Sequence, residues 1–434
     1  MDLLTANDRP GHYPQSYYAA TAKGMPTLHT ARGDIKVDVC IIGGGYTGVS
    51  SALHLAEKGY TVALLEANRV GWGASGRNGG QVNTGMRLPQ TDLEDMFGRQ
   101  RAHDFYHFAE EAVARVKDLV TRHGIDCGLK PGVIHASHRK RYVEHERDYV
   151  RLMTEDYGVD SMRFLERDEM RALVPSDFYH GGVLDMAAAH LHPLNYLLGL
   201  ARAAIAAGAQ LFEQSRVIEI VEGSPARVRT EHATITADHV IIGCNGYSGG
   251  LNGEIARHVM PINGFIAATR PLTEAEAEKI LTADHAVADS KFVINYYRFS
   301  EDRRLLFGGG ESYGYRFPAN IDAVVRKPME EVYPHLAGIE FDYCWGGTLG
   351  ITMNRLPFVR RLSGNVITAS GFSGQGVAMA TMAGSMLADV IAGQAERFDL
   401  LASIPAPAFP GGVAMRWPLL VLAMTWYAIR DRLG

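Results

Sequence analysis

The chain lacks any pairing of its cysteines. Cys40, Cys127, Cys244 and Cys344 stand far apart with no CxxC, and the opening residues lack the charged, apolar and small-residue regions of a signal peptide. A reduced cytoplasmic setting is therefore expected. The 17 histidines contain no HExxH and no clustered ligand spacing, so no metal site is expected. A GxSxG nucleophile elbow is absent too. Formal net charge is only −5 with the basic residues scattered, which disfavours a nucleic-acid partner. No long apolar run is present either: Trp417 to Ile429 falls short of the ~20 residues needed to span a bilayer. A docked C-terminal helix is the expectation there, rather than contact with a membrane surface.

What is present begins at Lys36. The stretch KVDVCIIGGGYTGVSSALHLAEKGYTVALLE gives an apolar run, a glycine turn, a helical pattern and a second apolar run, a complete βαβ unit. In its helix Val49, Ala52, Leu53 and Ala56 share one face, and Gly59 marks the stop. Further on, Leu194 to Ala207 reads as a helix, Gln210 to Phe212 and Ala233 to Ile242 as strands, and Asn365 to Ile391 as another strand-helix unit. Residues 92 to 180 are more polar and helical, whereas FVINYYRFSEDRRLLFGGG within 256 to 344 alternates like antiparallel strands.

The glycines point to a dinucleotide. Gly43, Gly45 and Gly48 form GxGxxG between strand and helix, and Glu66 closes the second strand. Gly43 permits the tight turn, Gly45 lets backbone approach a pyrophosphate, and Gly48 allows close helix–sheet packing. Helix N–H groups then face the phosphates, and Glu66 accepts ribose hydroxyls.

Three further segments select FAD over NAD. RVGWGASGRNGGQVNTG follows Glu66 as a second glycine-dense loop, in which Arg69, Ser75, Arg77 and Asn78 offer polar groups. ADHVIIGCNGYS is a strand ending in a glycine turn. SGFSGQGVAMATMAG places Gly371, Gly374 and Gly376 before a helix of small residues, whose positive N-terminus suits the pyrimidine end of a flavin.

Together with HLHPLNYLLGLARAA and NYYRFSEDRRLLFGG, these segments give a sequence that resembles the FAD-dependent D-amino-acid oxidase superfamily. The resemblance implies an α/β (α+β) fold: a Rossmann-type FAD-binding domain, discontinuous in sequence, beneath a β-rich substrate domain. The FAD-binding parts are expected at 34–90, 181–255 and 345–400. A helical insertion is expected at 91–180, the β-rich domain at 256–344, an N-terminal arm at 1–33 and a helical tail at 401–434. It further implies that Glu66 holds the adenosine ribose, that Arg69 and Ser75 lie along the dinucleotide, that Val217 meets the adenine through its backbone, and that Gly371 to Gly376 line the flavin. Gly347 falls where monomeric sarcosine oxidases carry a flavin-linking Cys, and Asn78 where dimethylglycine dehydrogenases carry a flavin-linking His. Both are counted in the cofactor site, and the FAD is expected to be non-covalent.

Flavin oxidation of an amine requires a neutral lone pair, a C–H bond aimed at flavin N5 and a dry pocket. The expected reaction is oxidation of a C–N bond in a small amine of polyamine or gamma-glutamyl-polyamine type, with oxygen or a quinone or carrier taking the electrons. The alternative is a D-amino-acid or N-methyl amino-acid dehydrogenase that passes electrons to a quinone or carrier. Tyr296 and Tyr297 are the candidate catalytic residues; strand alternation sends one ring each way, so only one is expected to face the pocket. His190 and His192 flank a helix start and are expected to be structural. Positions that hold an α-carboxylate in amino-acid-oxidising relatives fall on Leu349 and Ala378, and the oxygen-activating Lys position falls on Leu306.

Overall fold

Runs of β-branched and apolar residues favour strands. The computed structural model describes residues 1–24, 27–312, 314–412, 415 and 418 and arranges these strands in two sheets. The first half of the chain supplies β1 (Gly33–Ile42), β2 (Val62–Leu65), β3 (Gln81–Val82), β4 (Lys130–Ala136), β5 (Met162–Leu165) and β6 (Gly182–His190). Next come β7 (Gln210–Phe212), β8 (Val217–Val221), β9 (Ala226–Thr230), β10 (Ala233–Ile242) and β11 (Met260–Thr269). The last are β12 (Ala286–Asp289), β13 (Tyr296–Phe299), β14 (Leu305–Ser312), β15 (Phe341–Ile351), β16 (Phe358–Arg361) and β17 (Val366–Ser370).

The first sheet runs β16-β17-β10-β1-β2-β7, with the hairpin β8–β9 attached to β10. Its central pairs are parallel, and β1 registers Ile42 against both Leu65 and Ile242. Parallel strands need cover on both faces. Accordingly the last four residues of β1 and all of β2 are buried. The helix Tyr46–Glu57 is buried along nearly its whole length rather than on one stripe, because a second helix, Gly376–Ile391, lies against its other side. Small residues permit that approach: a Cβ at Gly384 would stand 2.5 Å from Ser50 Cβ, and Ser50 Oγ donates to Thr381 O at 2.7 Å.

The second sheet runs β15-β11-β14-β13-β12-β4-β6-β3, with β5 on β6. All its pairs are antiparallel except β12 with β4. Sheet membership follows hydrogen bonding rather than the segment boundaries expected from sequence. β3, within 34–90, and β6, at the start of 181–255, both belong to the second sheet, and β15 crosses 344/345 without leaving it. The arm is part of the core: Tyr17 and Tyr18 are buried with Leu194 and Leu198 of the helix Pro193–Ala206 and with Ile266, Leu306 and Trp345 of the second sheet. No helix among the described residues is long and apolar enough to cross a membrane. Apart from Pro418, the segment Trp417 to Ile429 lies outside the described residues.

Candidate cofactor and substrate site

At the end of β1 the chain turns through Gly43, Gly44 and Gly45 into the helix Tyr46–Glu57. Gly43 has φ +107°, and a Cβ there would stand 2.9 Å from Gly243 O. Gly48 is tighter still, since its Cβ would lie 1.9 Å from Gly43 O. Both obstacles are backbone, so no rotamer change relieves them. Gly45 differs: its Cβ would meet the Ser75 hydroxyl at 2.9 Å. That hydroxyl accepts from Tyr46 N at 3.0 Å, so the loop after Glu66 satisfies a backbone donor at the start of the helix Tyr46–Glu57.

Glu66 reaches back to the same turn. One carboxylate oxygen accepts from Gly44 N at 2.7 Å and the other from Asn68 N at 2.8 Å. Burial nevertheless pushes its carboxyl up to about 7. The Glu66 carbonyl accepts from Ser215 N at 2.8 Å, which brings Val217, at the start of β8, within two residues of this contact. Arg69 pairs with Glu213 at 2.8 Å and lies over the Tyr13 ring. Asn78 is engaged within its own loop: its amide donates to Ala74 O and Ser75 O, and its oxygen accepts from Gly80 N.

The predicted flavin end is assembled from three distant segments. Gly371, with φ +71°, donates its N–H to Asn245 Oδ1 at 2.8 Å, joining the GCNGYS turn to the last glycine loop. A Cβ at Gly374 or Gly376 would meet nothing within 4 Å. The helix that follows, Gly376–Ile391, has no side-chain cap at its N-terminus. Gly347 in β15 lies on the stem of Arg77, whose Cδ would be 3.0 Å from a Cβ there. Arg77 itself is buried; Nε donates to Trp72 O, and Nη1 donates to Gly346 O and to Asp8 of the arm.

The two tyrosines part as alternation requires. Tyr297 is fully buried in the second sheet's own core, stacked on Phe307, and its hydroxyl donates to Tyr179 and accepts from Tyr333. Burial pushes it well above the ordinary tyrosine range. Tyr296 faces the other way, and its ring would collide with a Cβ on Gly79 at 2.7 Å or on Gly308 at 2.1 Å. Beside it, Arg298 donates to Gly79 O, Phe299 O and Tyr18 Oη, and forms no ion pair among the described residues. His192 caps the helix Pro193–Ala206 by accepting from Asn195 N. Burial, then Arg298, pushes it down to about 3. His190 donates to Asp284 O and is pushed down to about 4 by the same causes. No cluster of His, Cys, Asp or Glu fit for a metal occurs among the described residues.

Sequence reading missed Asn245, the arm contact of Asp8, and Arg298 as the support of the Gly79 turn. The Asn-Gly step in GCNGYS was a usable signal for the first, since Asn245 takes a positive φ of 46°. Neither of the others leaves a local pattern.

These residues fit a dinucleotide cofactor. Trp72 Nε1, Arg77 Nη2, Asn68 Nδ2 and Gln375 Oε1 are buried without a hydrogen-bond partner, and all lie on the loops just described. A bound dinucleotide would supply the partners that these atoms lack. Glu66 at the turn, Ser75 beside Gly45, and the uncapped helix start after Gly374 are the groups that would hold it.

Comparison with known proteins agrees. The sequence model of the DAO family, FAD dependent oxidoreductases, matches residues 38–390. A probable oxidoreductase OrdL of Rhizobium meliloti is 42% identical over 98% of this chain and 98% of its own. The gamma-glutamylputrescine oxidoreductase of Escherichia coli is 36% identical over 97% of this chain and 99% of its own. Among solved structures, glycine oxidase from Geobacillus kaustophilus superposes with a TM-score of 0.69 at 22% identity, over 86% of this chain and 100% of that one. With its glycine cradle in place and near-full-length kinship on both measures, the chain belongs to the DAO family of FAD-dependent oxidoreductases.

Proposed function

We propose that the chain oxidises the C–N bond of a small amine of polyamine or gamma-glutamyl-polyamine type, yielding an imine that hydrolyses to an aldehyde and an amine. One observation carries the reading: 36% identity to a gamma-glutamylputrescine oxidoreductase along almost the whole of both chains. The hydride acceptor would be supplied by bound FAD. The chain's own residues position, wall and dry the reacting end. Arg298 and Asn78 fix the glycine turn 79–80 from two sides, and Tyr296 walls it toward β14.

The pocket lacks an α-carboxylate handle at the expected places. Leu349 packs on the apolar cluster of Met260, Ile262 and Ile351, and Ala378 is sealed in the main core. Of the two arginines that could substitute, Arg77 already pairs with Asp8 at 2.8 Å, and Arg298 is held by Gly79 O, Phe299 O and Tyr18 Oη. Desolvating a carboxylate there gains little in return. The cofactor is held without a covalent bond in this reading: Gly347 offers no nucleophile, the Cys344 thiol is pushed up to about 11 by burial, and Asn78 is engaged with its own loop. Acid precipitation should leave the yellow colour in the supernatant. Leu306, buried beside Trp345, puts no cation where relatives activate oxygen, so slow reoxidation by oxygen and a quinone or carrier as acceptor are expected.

The test is anaerobic flavin bleaching with putrescine, gamma-glutamylputrescine, glycine, sarcosine and D-alanine. The polyamine-type amines should bleach faster, and kcat/KM should rise with pH as the substrate ammonium loses its proton. If sarcosine or D-alanine is more efficient than every amine, the substrate class proposed here is wrong.

A further inference from the structure

The register of the second sheet extends Tyr296 into a row of residues. Tyr296 pairs with Ala288 of β12, Ala288 with His135 of β4, and His135 with Val183 of β6. Residues paired across a ladder share a face of the sheet. The adjacent row bears this out on the opposite face, where Tyr297, Val287, Ile134 and Leu184 pair in the same order and pack in one core cluster. Ala288 and His135 therefore lie on the Tyr296 side, the side that meets Gly79. The segment after Gly79 stays close to them: Gln81 donates to Val287 O at 2.9 Å, and Arg87 is near enough to His135 to bear on its charge.

This row is a trough. Tyr296, Ala288 and His135 are each partly accessible, whereas Val183 at its end and the next row on the same face, Ala286, Val133 and Asp185, are sealed. With strands about 4.8 Å apart, the trough runs about 10 Å from Tyr296 to His135. Ala288, between them, lacks the bulk to interrupt it. His135 makes no hydrogen bond among the described residues, and neither of its ring nitrogens is cut off from solvent. Burial holds its imidazole below the ordinary histidine range, with Asp185 of β6 opposing this and Arg87 adding to it. At neutral pH it is an uncharged ring with one donor and one acceptor.

We propose that the non-reacting chain of the amine lies in this trough, that Ala288 leaves the room for it, and that His135 hydrogen-bonds a polar group at its far end. Ala288 and His135 then determine specificity, one by length and the other by polarity. The inference rests on the amine-oxidation reading, so its first test needs no oxidation. Diethyl pyrocarbonate acylates accessible neutral imidazoles, and peptide mass spectrometry of the treated holoenzyme reads His135 separately from the other histidines. His135 should be labelled in the wild type. Labelling should fall severalfold in Ala288→Phe, and in the wild type with N-butylacetamide, which supplies a chain and an amide without an amine. An unlabelled His135, or labelling that either change leaves as it was, overturns the proposal. The second test is anaerobic reduction by N-acetylputrescine and n-butylamine, the same four-carbon amine with and without a far amide. The wild type should favour N-acetylputrescine. His135→Ala should cut that preference about tenfold, the scale of a lost hydrogen bond, through apparent Kd rather than the limiting rate. Ala288→Phe should cut it further, whereas a merely structural lesion would slow both amines alike. A preference unchanged in both variants overturns the specificity role and leaves amine oxidation standing. Reduction by neither amine, with labelling as expected, removes amine oxidation and keeps the trough as a ligand site.

Discussion

The two sheets meet at one site but define their ends of it by different means. At the first sheet the obstacles around Gly43 and Gly48 are carbonyl groups of Gly243 and Gly43. At the second, the obstacle around Gly79 and Gly308 is the ring of Tyr296. A backbone carbonyl in the turn that ends a parallel strand moves only with its chain, whereas a tyrosine ring can turn about χ1. The proposed cofactor end is thus fixed by backbone and spelled in glycine. The proposed substrate end is fixed by side chains, an arrangement that lets one fold change substrates while keeping its cofactor.

The sharpest way to break that contrast is a matched pair. Gly48→Val should yield no folded, flavin-bearing protein. Gly308→Ala should keep its FAD and melting temperature near wild type and alter kcat/KM for the amine, as the Tyr296 ring shifts. Equal loss of flavin from both variants, read from the visible absorbance per protein, would erase the distinction.

Next in size is a pH effect confined to the first sheet. Burial raises the Glu66 carboxyl to about 7, so the folded apoprotein keeps a proton that the unfolded chain releases. The stability this group contributes is intact below the ordinary carboxylate range and is lost as pH rises through about 7, on the order of 3 kcal/mol in all. Glu66→Gln should flatten the fall in apoprotein melting temperature between pH 5 and about 8. An unchanged slope would place the titration elsewhere.

Smaller effects should separate the adjacent tyrosines. Tyr297→Phe removes one hydroxyl from a buried three-tyrosine network and should lower stability by about 1 kcal/mol with flavin reduction unaffected. Tyr296→Phe should do the opposite, changing the rate of flavin reduction by more than it changes urea denaturation. Smallest of all, Val217→Ala should leave FAD affinity within about 0.5 kcal/mol, because the proposed adenine contact is made by backbone.

Much of this was legible where partners are close in sequence. The βαβ unit, the strands Gln210–Phe212 and Ala233–Ile242, and the opposed faces of Tyr296 and Tyr297 follow from periodicity and glycine placement. β6 was not, because its run GVLDMAAAH lacks the polar alternation that would mark its antiparallel pairing with β4 and β5. The arm's role was hidden for a related reason. Asp8 meets Arg77 across 69 positions, and Tyr17 and Tyr18 pack on residues that only the finished fold brings near. Burial of the Tyr46–Glu57 helix on nearly all sides likewise required the helix Gly376–Ile391, whose apolar residues carry no mark of their partner.

The parallel register of β1 against β10 carries a consequence for the order of synthesis. Ile42 pairs with Ile242, so the strand that opens the cofactor turn is made long before the neighbour that covers its other edge. At ribosomal speeds of about 5–20 residues per second, that edge waits on the order of ten to forty seconds. β17, which flanks β10, and the helix Gly376–Ile391 emerge later still. An N-terminal fragment ending before Val366 therefore leaves an apolar parallel strand edge bare, a template for pairing with other chains. Nascent chains stalled in this interval should depend on chaperones in a way that the finished protein does not.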